Sequence, residues 1–413
     1  MSYKTKILSA IKRNEIIHKK FKKSLLDDKA IKIVEDFISE NELICYGGTA
    51  INAILPDNKK IYDYNIDTPD YDFFSPFALK HVTELSKTLA NSGFDNVEAK
   101  SALFKGTYKI FINFIPVADI TQIDEYIYDE MKKKALLIDK IYYAPSNYLK
   151  LSLYQELSRP LGDISRWEKI YNRLSLLEEY LNESKAVSFN LQHIPKTSEN
   201  IKIFNTLKRL SIENRFVLFG DFGLSFYKSY FPNHIKKKIN NTKIKEFYIL
   251  AENINDVTDT FIDLNFTTIL YKKNSKFTND IYKVSINSQV FLYVFITNSC
   301  QSFNIINIKG IIYNIATIDT ILSIYYSLEY VNIPGIDFNT IKSYCILLEN
   351  IHSNNKTNIL KRFYIPCIGK QETIEDIKKY RNKIYKNYKT NKKHKKYQEL
   401  FFKYYPKTQK KHS

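Results

Sequence analysis

Apolar residues recur at helical spacing between residues 25 and 40 and are followed by a short apolar run at 43–46. Four residues would share one face of that helix: Leu26, Ala30, Val34 and Phe37. The run at 43–46 stops at Gly47-Gly48-Thr49, and helical periodicity resumes over 50–55. This order predicts a helix, a buried strand, a tight glycine turn and a second helix.

The glycine turn is a candidate site for an anion. Gly47 and Gly48 remove two Cβ atoms where a ligand would approach the backbone, and the amides that open the next helix would point at negative charge. A glycine pair before a helix is usually no more than a turn, so this signal needs support from elsewhere in the chain.

Support comes from three acids in β-prone segments. In Pro69-Asp-Tyr-Asp-Phe-Phe74, strand alternation places Asp70 and Asp72 on the same face. A third acid, Asp119, stands alone near the end of the β-rich run 111–121. Close carboxylates repel unless a cation lies between them, and Mg²⁺ (or Mn²⁺) prefers such oxygen ligands. The acids Asp63 and Asp67 lie in a predicted loop at 56–68, where no strand would hold them as ligands.

The remaining elements of this half alternate between helix and strand. We predict helices at 76–90, 124–134, 146–158 and 163–183, two or three strands around Gly106 within 96–121, and a strand at 135–143. Trp167 is expected in the core of the last helix. Six side chains are candidate triphosphate or RNA contacts: Tyr148, Lys150, Arg159, Arg166, Lys169 and Arg173. Single charges of this kind more often lie on a helix surface.

The pattern restarts after a weakly periodic segment at 184–197, where we place a domain boundary. The run 215–227 echoes 43–52, and the runs 246–250, 291–297 and 311–325 follow in the order of their counterparts in the first half. On this alignment Asp70, Asp72 and Asp119 are replaced by Phe247, Ile249 and Phe295. The second copy therefore lacks metal ligands and would serve as a structural or RNA-binding domain.

Charge is concentrated at the carboxyl end. The 413-residue chain has a formal net charge of +18. Residues 378–413 hold fourteen Lys or Arg and one acid, a net charge of +13, which leaves a net charge of +5 for the first 377 residues. Six tyrosines are interleaved there: 380, 385, 388, 397, 404 and 405. Cations beside stacking platforms are typical of single-stranded nucleic-acid binding, and a solvated solubility tail is the alternative.

Other features restrict the class of protein. The apolar content of 44% indicates a globular chain, and no apolar run is long enough to predict a membrane span. The amino terminus lacks the apolar core of a secretory signal. Four well-separated cysteines, Cys45, Cys300, Cys345 and Cys367, predict neither zinc nor a disulfide framework and fit a reducing, non-secreted location.

Four strings carry a family resemblance: Tyr46-Gly-Gly-Thr-Ala-Ile-Asn52, Pro69-Asp-Tyr-Asp-Phe-Phe-Ser-Pro76, Val117-Ala-Asp-Ile-Thr121 and Ser158-Arg-Pro-Leu-Gly-Asp-Ile-Ser-Arg-Trp-Glu-Lys169. Glycine pair, Asp-x-Asp and a later lone Asp resemble the nucleotidyltransferase superfamily that includes DNA polymerase β. The fuller strings resemble the poly(A) polymerase catalytic subunits of large nucleocytoplasmic DNA viruses.

The resemblance implies transfer of AMP from ATP to the 3′ end of single-stranded RNA by two Mg²⁺ ions. It implies that Asp70 and Asp72 contact both ions and that Asp119 binds the ion near the 3′-hydroxyl. Gly47, Gly48 and Thr49 would bind the triphosphate, with Lys150 and Arg166 as further candidates for nucleotide contact. The implied assembly is a homodimer or a complex with a processivity subunit, located in the virion and the host cytoplasm.

Two alternatives remain open at this point. The acids do not distinguish a poly(A) polymerase from a uridylyl or oligoadenylate transferase, and a non-catalytic RNA-binding scaffold would also suit a basic chain. The predicted fold is α+β, with two tandem nucleotidyltransferase-like domains built on mixed sheets, the second degenerate. Its predicted limits are a helical segment 1–40, a catalytic domain 41–190, a degenerate domain 191–375 and a basic tail 376–413.

Overall fold

The computed structural model describes residues 2–25, 28–180, 197–231, 233, 236, 247–272, 278–331, 333, 335–353 and 362–407. The chain divides into two compact units. The first unit is Met1–Leu149 together with Thr373–Ser413, and the second is Lys150–Glu372. The predicted boundary at 184–197 overlaps the undescribed residues 181–196 and stays a prediction.

The described helices, in chain order, are α1 Tyr3–Ser24, α2 Asp28–Glu40, α3 Gly47–Ile54, α4 Ala78–Asn91, α5 Glu125–Lys132, α6 Ser146–Leu157, α7 Trp167–Tyr180, α8 Ser198–Glu213, α9 Gly220–Tyr227, α10 Ile254–Thr260, α11 Ile318–Ser327, α12 Phe338–Ser353, α13 Ile374–Tyr388 and α14 Lys395–Phe401. Short 3₁₀ turns lie at Asp57–Lys59, Ile164–Arg166, Lys228–Tyr230, Ile262–Leu264 and Leu328–Tyr330.

The strands are β1 Ile44–Tyr46, β2 Tyr71–Ser75, β3 Val97–Ser101, β4 Thr107–Ile112, β5 Ile115–Gln122, β6 Leu136–Ile138, β7 Ile141–Tyr143, β8 Val217–Phe219, β9 Phe247–Ala251, β10 Thr267–Lys272, β11 Asp280–Ile286, β12 Gln289–Ile296, β13 Gln301–Ile308, β14 Ile311–Ala316, β15 Cys367–Ile368 and β16 Lys403–Tyr404. The predicted α+β class with mixed sheets is confirmed.

The first unit is built on one mixed sheet with the order β16-β3-β4-β5-β2-β1-β7-β6. Helices α2 and α4 pack against each other and against strands of this sheet. Helix α2 turns its apolar side inward, with Ala30, Val34 and Phe37 buried as the helical spacing predicts. Tyr71 of β2 points to this side, because its hydroxyl donates to the Glu35 carboxylate of α2 at 2.6 Å. The alternate residues of β2 therefore face the other side of the sheet.

The basic carboxyl-terminal segment is part of the first unit. Helix α13 begins with a capping box in which Thr373 and Asp376 satisfy each other's backbone amides. Strand β16 pairs antiparallel with β3, and Arg381 donates to the backbone carbonyls of Ala102 and Leu103. Residues 373–407 are thus folded onto the edge of the sheet, where the sequence had indicated a tail.

The second unit repeats the sheet of the first. Its strand order is β10-β11-β12-β9-β8-β14-β13-β15. The first seven of these strands match β3-β4-β5-β2-β1-β7-β6 one for one. The eighth strand, β15, lies at the edge opposite to the one where β16 lies in the first sheet. The matched pairs also agree in direction: β8 is antiparallel to β9 and parallel to β14, as β1 is to β2 and β7. The predicted repeat of one fold is present in the strand order.

The strand register corrects our alignment of the two copies. Asp72 lies opposite Tyr46 on β1, and the residue opposite the matching Phe219 on β8 is Tyr248. Asp119 lies opposite Asp72 on β5, and the residue opposite Tyr248 on β12 is Tyr293. Tyr248 and Tyr293 therefore stand where we had aligned Ile249 and Phe295. The error arose because apolar runs align about equally well in neighbouring registers.

Other expectations also change. Residues 135–143 form a hairpin, β6–β7, and not one strand, because Asp139 and Lys140 adopt left-handed conformations at a turn. Cys300 and Cys367 are joined by a disulfide, where the sequence predicted no disulfide framework, and Cys45 and Cys345 are free and buried. In the described ranges, no helix has both the length and the apolar character to span a membrane.

Candidate active site

The three predicted acids gather on neighbouring strands of the first sheet. Asp70 immediately precedes β2, Asp72 lies within it, and both face away from the side that Tyr71 shares with α2. Asp72 is paired in register with Asp119 on the parallel strand β5. Side chains opposite each other on adjacent strands share a face, so this register brings the second and third acids together.

The glycine turn makes room for one of these carboxylates. Gly47 opens α3 with φ of +70°, and a Cβ added there would lie 2.8 Å from Oδ2 of Asp72. A residue with a side chain would be strained at this φ and would displace the carboxylate. The main structural role of Gly47 is therefore to let the Asp72 carboxylate approach the start of the helix.

The amides at the start of α3 keep their predicted capacity for an anion. Tyr46 is the residue that precedes the helix. In the part of the chain that the structure describes, its side chain makes no capping hydrogen bond to the amides of the first turn. The Thr49 hydroxyl is buried and donates to the backbone carbonyl of Asp70 at 2.6 Å. Thr49 thus positions the first acid, and Gly47 and Gly48 remain the candidates for triphosphate contact.

Lys109 is a site residue that is not among the residues predicted from the sequence. It lies opposite Asp119 on the antiparallel strand β4, and its ammonium is hydrogen-bonded to the Asp119 carboxylate. The alternation of buried and half-exposed residues along β4 places Lys109 on the acid face. That alternation was readable in the sequence, but the register with β5 was not.

The charges of the acids affect the pKa values of two neighbouring groups, Asp119 and Tyr46. Burial raises the pKa of Asp119, Lys109 lowers it, and Asp70 raises it further. Burial also raises the pKa of the Tyr46 phenol, and Asp72, Asp119 and Asp70 all add to that rise. The Tyr46 hydroxyl is bonded to Thr121 at 2.9 Å, which holds the ring between β1 and β5. One phenol thus senses all three carboxylates.

The donor set fits a hard divalent cation. Among the described residues, no three His, Cys, Asp or Glu side chains already lie close enough together to hold a metal ion. The three carboxylates nevertheless offer only oxygen atoms as ligands, which hard divalent cations prefer. The Lys109 ammonium already forms an ion pair with one of them, Asp119. Asp70, Asp72 and Asp119 are the residues that would hold such an ion, once their side chains turn toward it.

Two other predicted nucleotide contacts belong to the second unit. Lys150 is buried and forms an ion pair with Glu349 at 3.1 Å. Arg166 is half exposed and pairs with Glu156 at 3.4 Å. The Trp167 indole donates to the Glu156 carbonyl and contacts Phe363. Trp167 is half buried, so it lies at the margin of the core in which it was expected. Lys150 thus has a partner inside its own unit, and its contact with a nucleotide stays a prediction.

The equivalent place in the second unit is filled by aromatic rings. Gly220 has φ of +68°, and a Cβ there would lie 2.9 Å from Cγ of Tyr248. The Tyr248 ring meets Phe219, Tyr293 and Phe295 edge-on or tilted, with centroids 5.4 to 5.6 Å away. The glycine turn is therefore retained, with a ring in place of the carboxylate.

Comparison with known proteins agrees with this geometry. Residues 32–163 match the model of the family described as poly(A) polymerase catalytic subunit. The protein of Acanthamoeba polyphaga mimivirus that carries this name is 31% identical over 176 residues, which cover 41% of this chain and 29% of the relative. A protein of African swine fever virus with the same name is 29% identical over 160 residues, or 37% of this chain and 33% of the relative. The matched segments thus span about a third of the curated relatives.

The fold likeness extends further than the sequence likeness. The crystal structure of the Megavirus polyadenylate synthase superposes with a TM-score of 0.74 at 20% identity and covers 97% of this chain and 83% of that one. The resemblance to viral poly(A) polymerase catalytic subunits is confirmed for residues 32–163, and the fold that it implies is confirmed for nearly the whole chain.

Proposed function

We propose that this chain is a template-independent poly(A) polymerase that adds AMP from ATP to the 3′-hydroxyl of RNA. The observation that carries the proposal is the pairing of Tyr46, Asp72 and Asp119 across β1, β2 and β5. The absence of a side chain at Gly47 leaves room beside them for the Asp72 carboxylate. The names of the relatives support adenylate transfer over other nucleotidyl transfers.

In the proposed reaction the 3′-oxygen of RNA forms a bond to the α-phosphorus of ATP. The bond from that phosphorus to the bridging oxygen breaks, and pyrophosphate leaves. Bound Mg²⁺ or Mn²⁺ would lower the pKa of the attacking hydroxyl and neutralise the triphosphate.

The residues of the chain have separate tasks in this scheme. Asp70 and Asp72 hold the cations, and Thr49 fixes the backbone of Asp70. Asp119 would lie beside the attacking hydroxyl and accept its proton, while Lys109 pairs with that carboxylate before substrates arrive. The amides of Gly47 and Gly48 receive the triphosphate.

The test is incorporation of labelled nucleotide into a short single-stranded RNA. Full-length protein is incubated with Mg²⁺ or Mn²⁺ and with each of the four NTPs separately, and EDTA serves as the metal-free control. A ladder formed from ATP supports the proposal. Preference for UTP would favour a uridylyl transferase, and RNA binding without incorporation would favour the scaffold.

Further proposals rest on the resemblance alone. They are assembly as a homodimer or with a processivity subunit, and location in the virion and the reducing host cytoplasm. Light scattering of the purified protein decides the first. The Cys300–Cys367 disulfide bears on the second, and thiol titration of protein prepared without reductant measures whether it is present.

A further inference from the structure

A row of lysines crosses the sheet of the first unit from its edge to the acids. Lys403 on β16 lies opposite Lys100 on β3, Lys100 lies opposite Lys109 on β4, and Lys109 lies opposite Asp119 on β5. Because residues paired across strands share a face, the three ammonium groups lie on the acid side of the sheet. The row spans about 14 Å at three strand spacings.

The lysines of the row reach solvent. The side chains of Lys403, Lys100 and Lys109 are 56%, 43% and 39% exposed. Two carboxylates oppose them: Glu98, which pairs with Lys100 and Lys403, and Asp119. Both carboxylates are largely buried, so solvent meets more of the cations than of the anions.

Aromatic surface accompanies the row. Lys100 lies 4.2 Å from the centroid of the Phe111 ring, and Lys403 lies 4.9 Å from that of Tyr405. Tyr405 is exposed and its hydroxyl is bonded to Glu98 at 3.0 Å, which holds the ring beside the lysines. Cations that track a backbone, with an exposed ring for a base, are the features that bind single-stranded nucleic acid.

The row also continues outward. The surface of α13, α14 and their connection carries exposed lysines: Lys378, Lys379, Lys383, Lys386, Lys389, Lys392, Lys393, Lys395 and Lys396. The folded segment 373–407 thus presents positive charge up to β16, where the row begins. Its structural role is to bring this charge to the edge strand of the catalytic sheet.

We infer that the phosphate backbone of the RNA 3′ end runs along Lys403, Lys100 and Lys109 into the acid site, with a base stacked on Tyr405. This inference rests on the proposed function and specifies the path of its RNA substrate. It places the 3′-hydroxyl at Asp119, the acid at which the row ends.

The test is a triple variant, Lys100→Gln, Lys109→Gln and Lys403→Gln, assayed by binding of fluorescent 15-nucleotide RNA in EDTA without ATP. A single-strand contact adds about 0.7 to the slope of log affinity against log salt, so the slope should fall by about 2. The same three positions changed to Arg should keep the wild-type slope, because the charge is retained.

The matched control changes Lys32, Lys80 and Lys133 to Gln. These are also exposed lysines of the first unit that lie beside carboxylates, and none is on the row. This variant removes the same charge and should leave the slope within about 0.7 of wild type. Equal losses in both triple variants would mean that only net charge matters and would overturn the inference.

A second readout keeps the test decisive if the Gln triple unfolds. RNA with 4-thiouridine near its 3′ end is crosslinked to wild-type protein and the adducts are mapped by mass spectrometry. Adducts at Tyr405 or on β3 and β4 support the path, and adducts confined to other surfaces contradict it. Displacement of the RNA by an equally charged acidic peptide would instead identify the row as a protein-docking surface.

Failure of the inference and failure of the proposed function are distinguishable. If the Gln triple binds RNA as wild type while wild-type protein incorporates AMP, the path is wrong and the polymerase stands. If wild-type protein binds RNA through the row but incorporates no nucleotide, the path stands and the polymerase is wrong.

Discussion

The two units share one sheet order but differ at three residues that are paired across the central strands. In the first unit these residues are Tyr46, Asp72 and Asp119, and in the second they are Phe219, Tyr248 and Tyr293. Both keep a glycine in a left-handed conformation directly after the first of the three residues. Two acids exchanged for two aromatic residues thus separate the proposed cation site from a cluster of contacting rings.

The difference shows what the fold requires and what the chemistry requires. The glycine turn occurs in both units because something bulky, a carboxylate or a ring, lies against it. The turn is therefore a feature of the fold, and the acids are the feature of the proposed function. A glycine pair or turn alone would not have distinguished the two units.

The largest expected effect is the loss of chemistry when one acid is removed. Asp72→Asn should reduce AMP incorporation by at least about a hundredfold, because charge that stabilises the transition state is lost. Thermal stability and RNA affinity should be nearly unchanged, since one of several neighbouring negative charges is removed. Incorporation kinetics, with melting curves alongside, measure this.

Two control variants bracket that result. Asp63→Asn changes an exposed loop acid of the same unit, and Tyr248→Phe keeps the ring in the second unit. Both should incorporate AMP at the wild-type rate. Activity of Asp72→Asn close to wild type would remove Asp72 from the proposed metal site.

Acids placed in the second unit should cause unfolding and not activity. Tyr248→Asp with Tyr293→Asp should cost more than about 5 kcal/mol, because two packed rings are lost and two charges enter an apolar centre. The strand register places Tyr248 and Tyr293 at the positions that match Asp72 and Asp119. Denaturant unfolding measures the loss, and calorimetric detection of a second metal-binding event would contradict it.

The buried pair Lys150–Glu349 tests whether Lys150 acts within the second unit. Lys150→Met should lower the stability of that unit by about 3–5 kcal/mol, because it leaves the buried Glu349 carboxylate without its cationic partner. The Michaelis constant for ATP, measured well below the melting temperature, should not change. A raised Michaelis constant with unchanged stability would restore Lys150 to the nucleotide site.

The smallest expected effect compares the same substitution in both units. Gly220→Ala should lower the free energy of unfolding by about 1–3 kcal/mol, because the alanine backbone would be strained and its Cβ would clash with the Tyr248 ring. Gly47→Ala should cost a similar amount and in addition reduce AMP incorporation, since the displaced atom is Oδ2 of Asp72. Loss of activity in Gly220→Ala at a temperature where it is folded would show that the second unit contributes to the reaction.

Local patterns were sufficient for many elements of this protein. The helical spacing of Ala30, Val34 and Phe37, the run before Gly47 and the alternation around Asp72 depend on residues close in sequence, and the structure has them as predicted. The α+β class and the repeat followed from the order of these patterns, because order along the chain needs no knowledge of distant contacts.

Register and distant pairing were decided only by the tertiary structure. The ion pair of Lys109 with Asp119, the exchange of Asp72 for Tyr248, the disulfide of Cys300 with Cys367 and the docking of β16 on β3 each join segments apart in sequence. A shift of one residue in a strand changes which side chains meet while the apolar pattern stays nearly the same. The sequence by itself therefore indicated the residues that are proposed to carry the chemistry, and packing across the sheet decided which residues surround them.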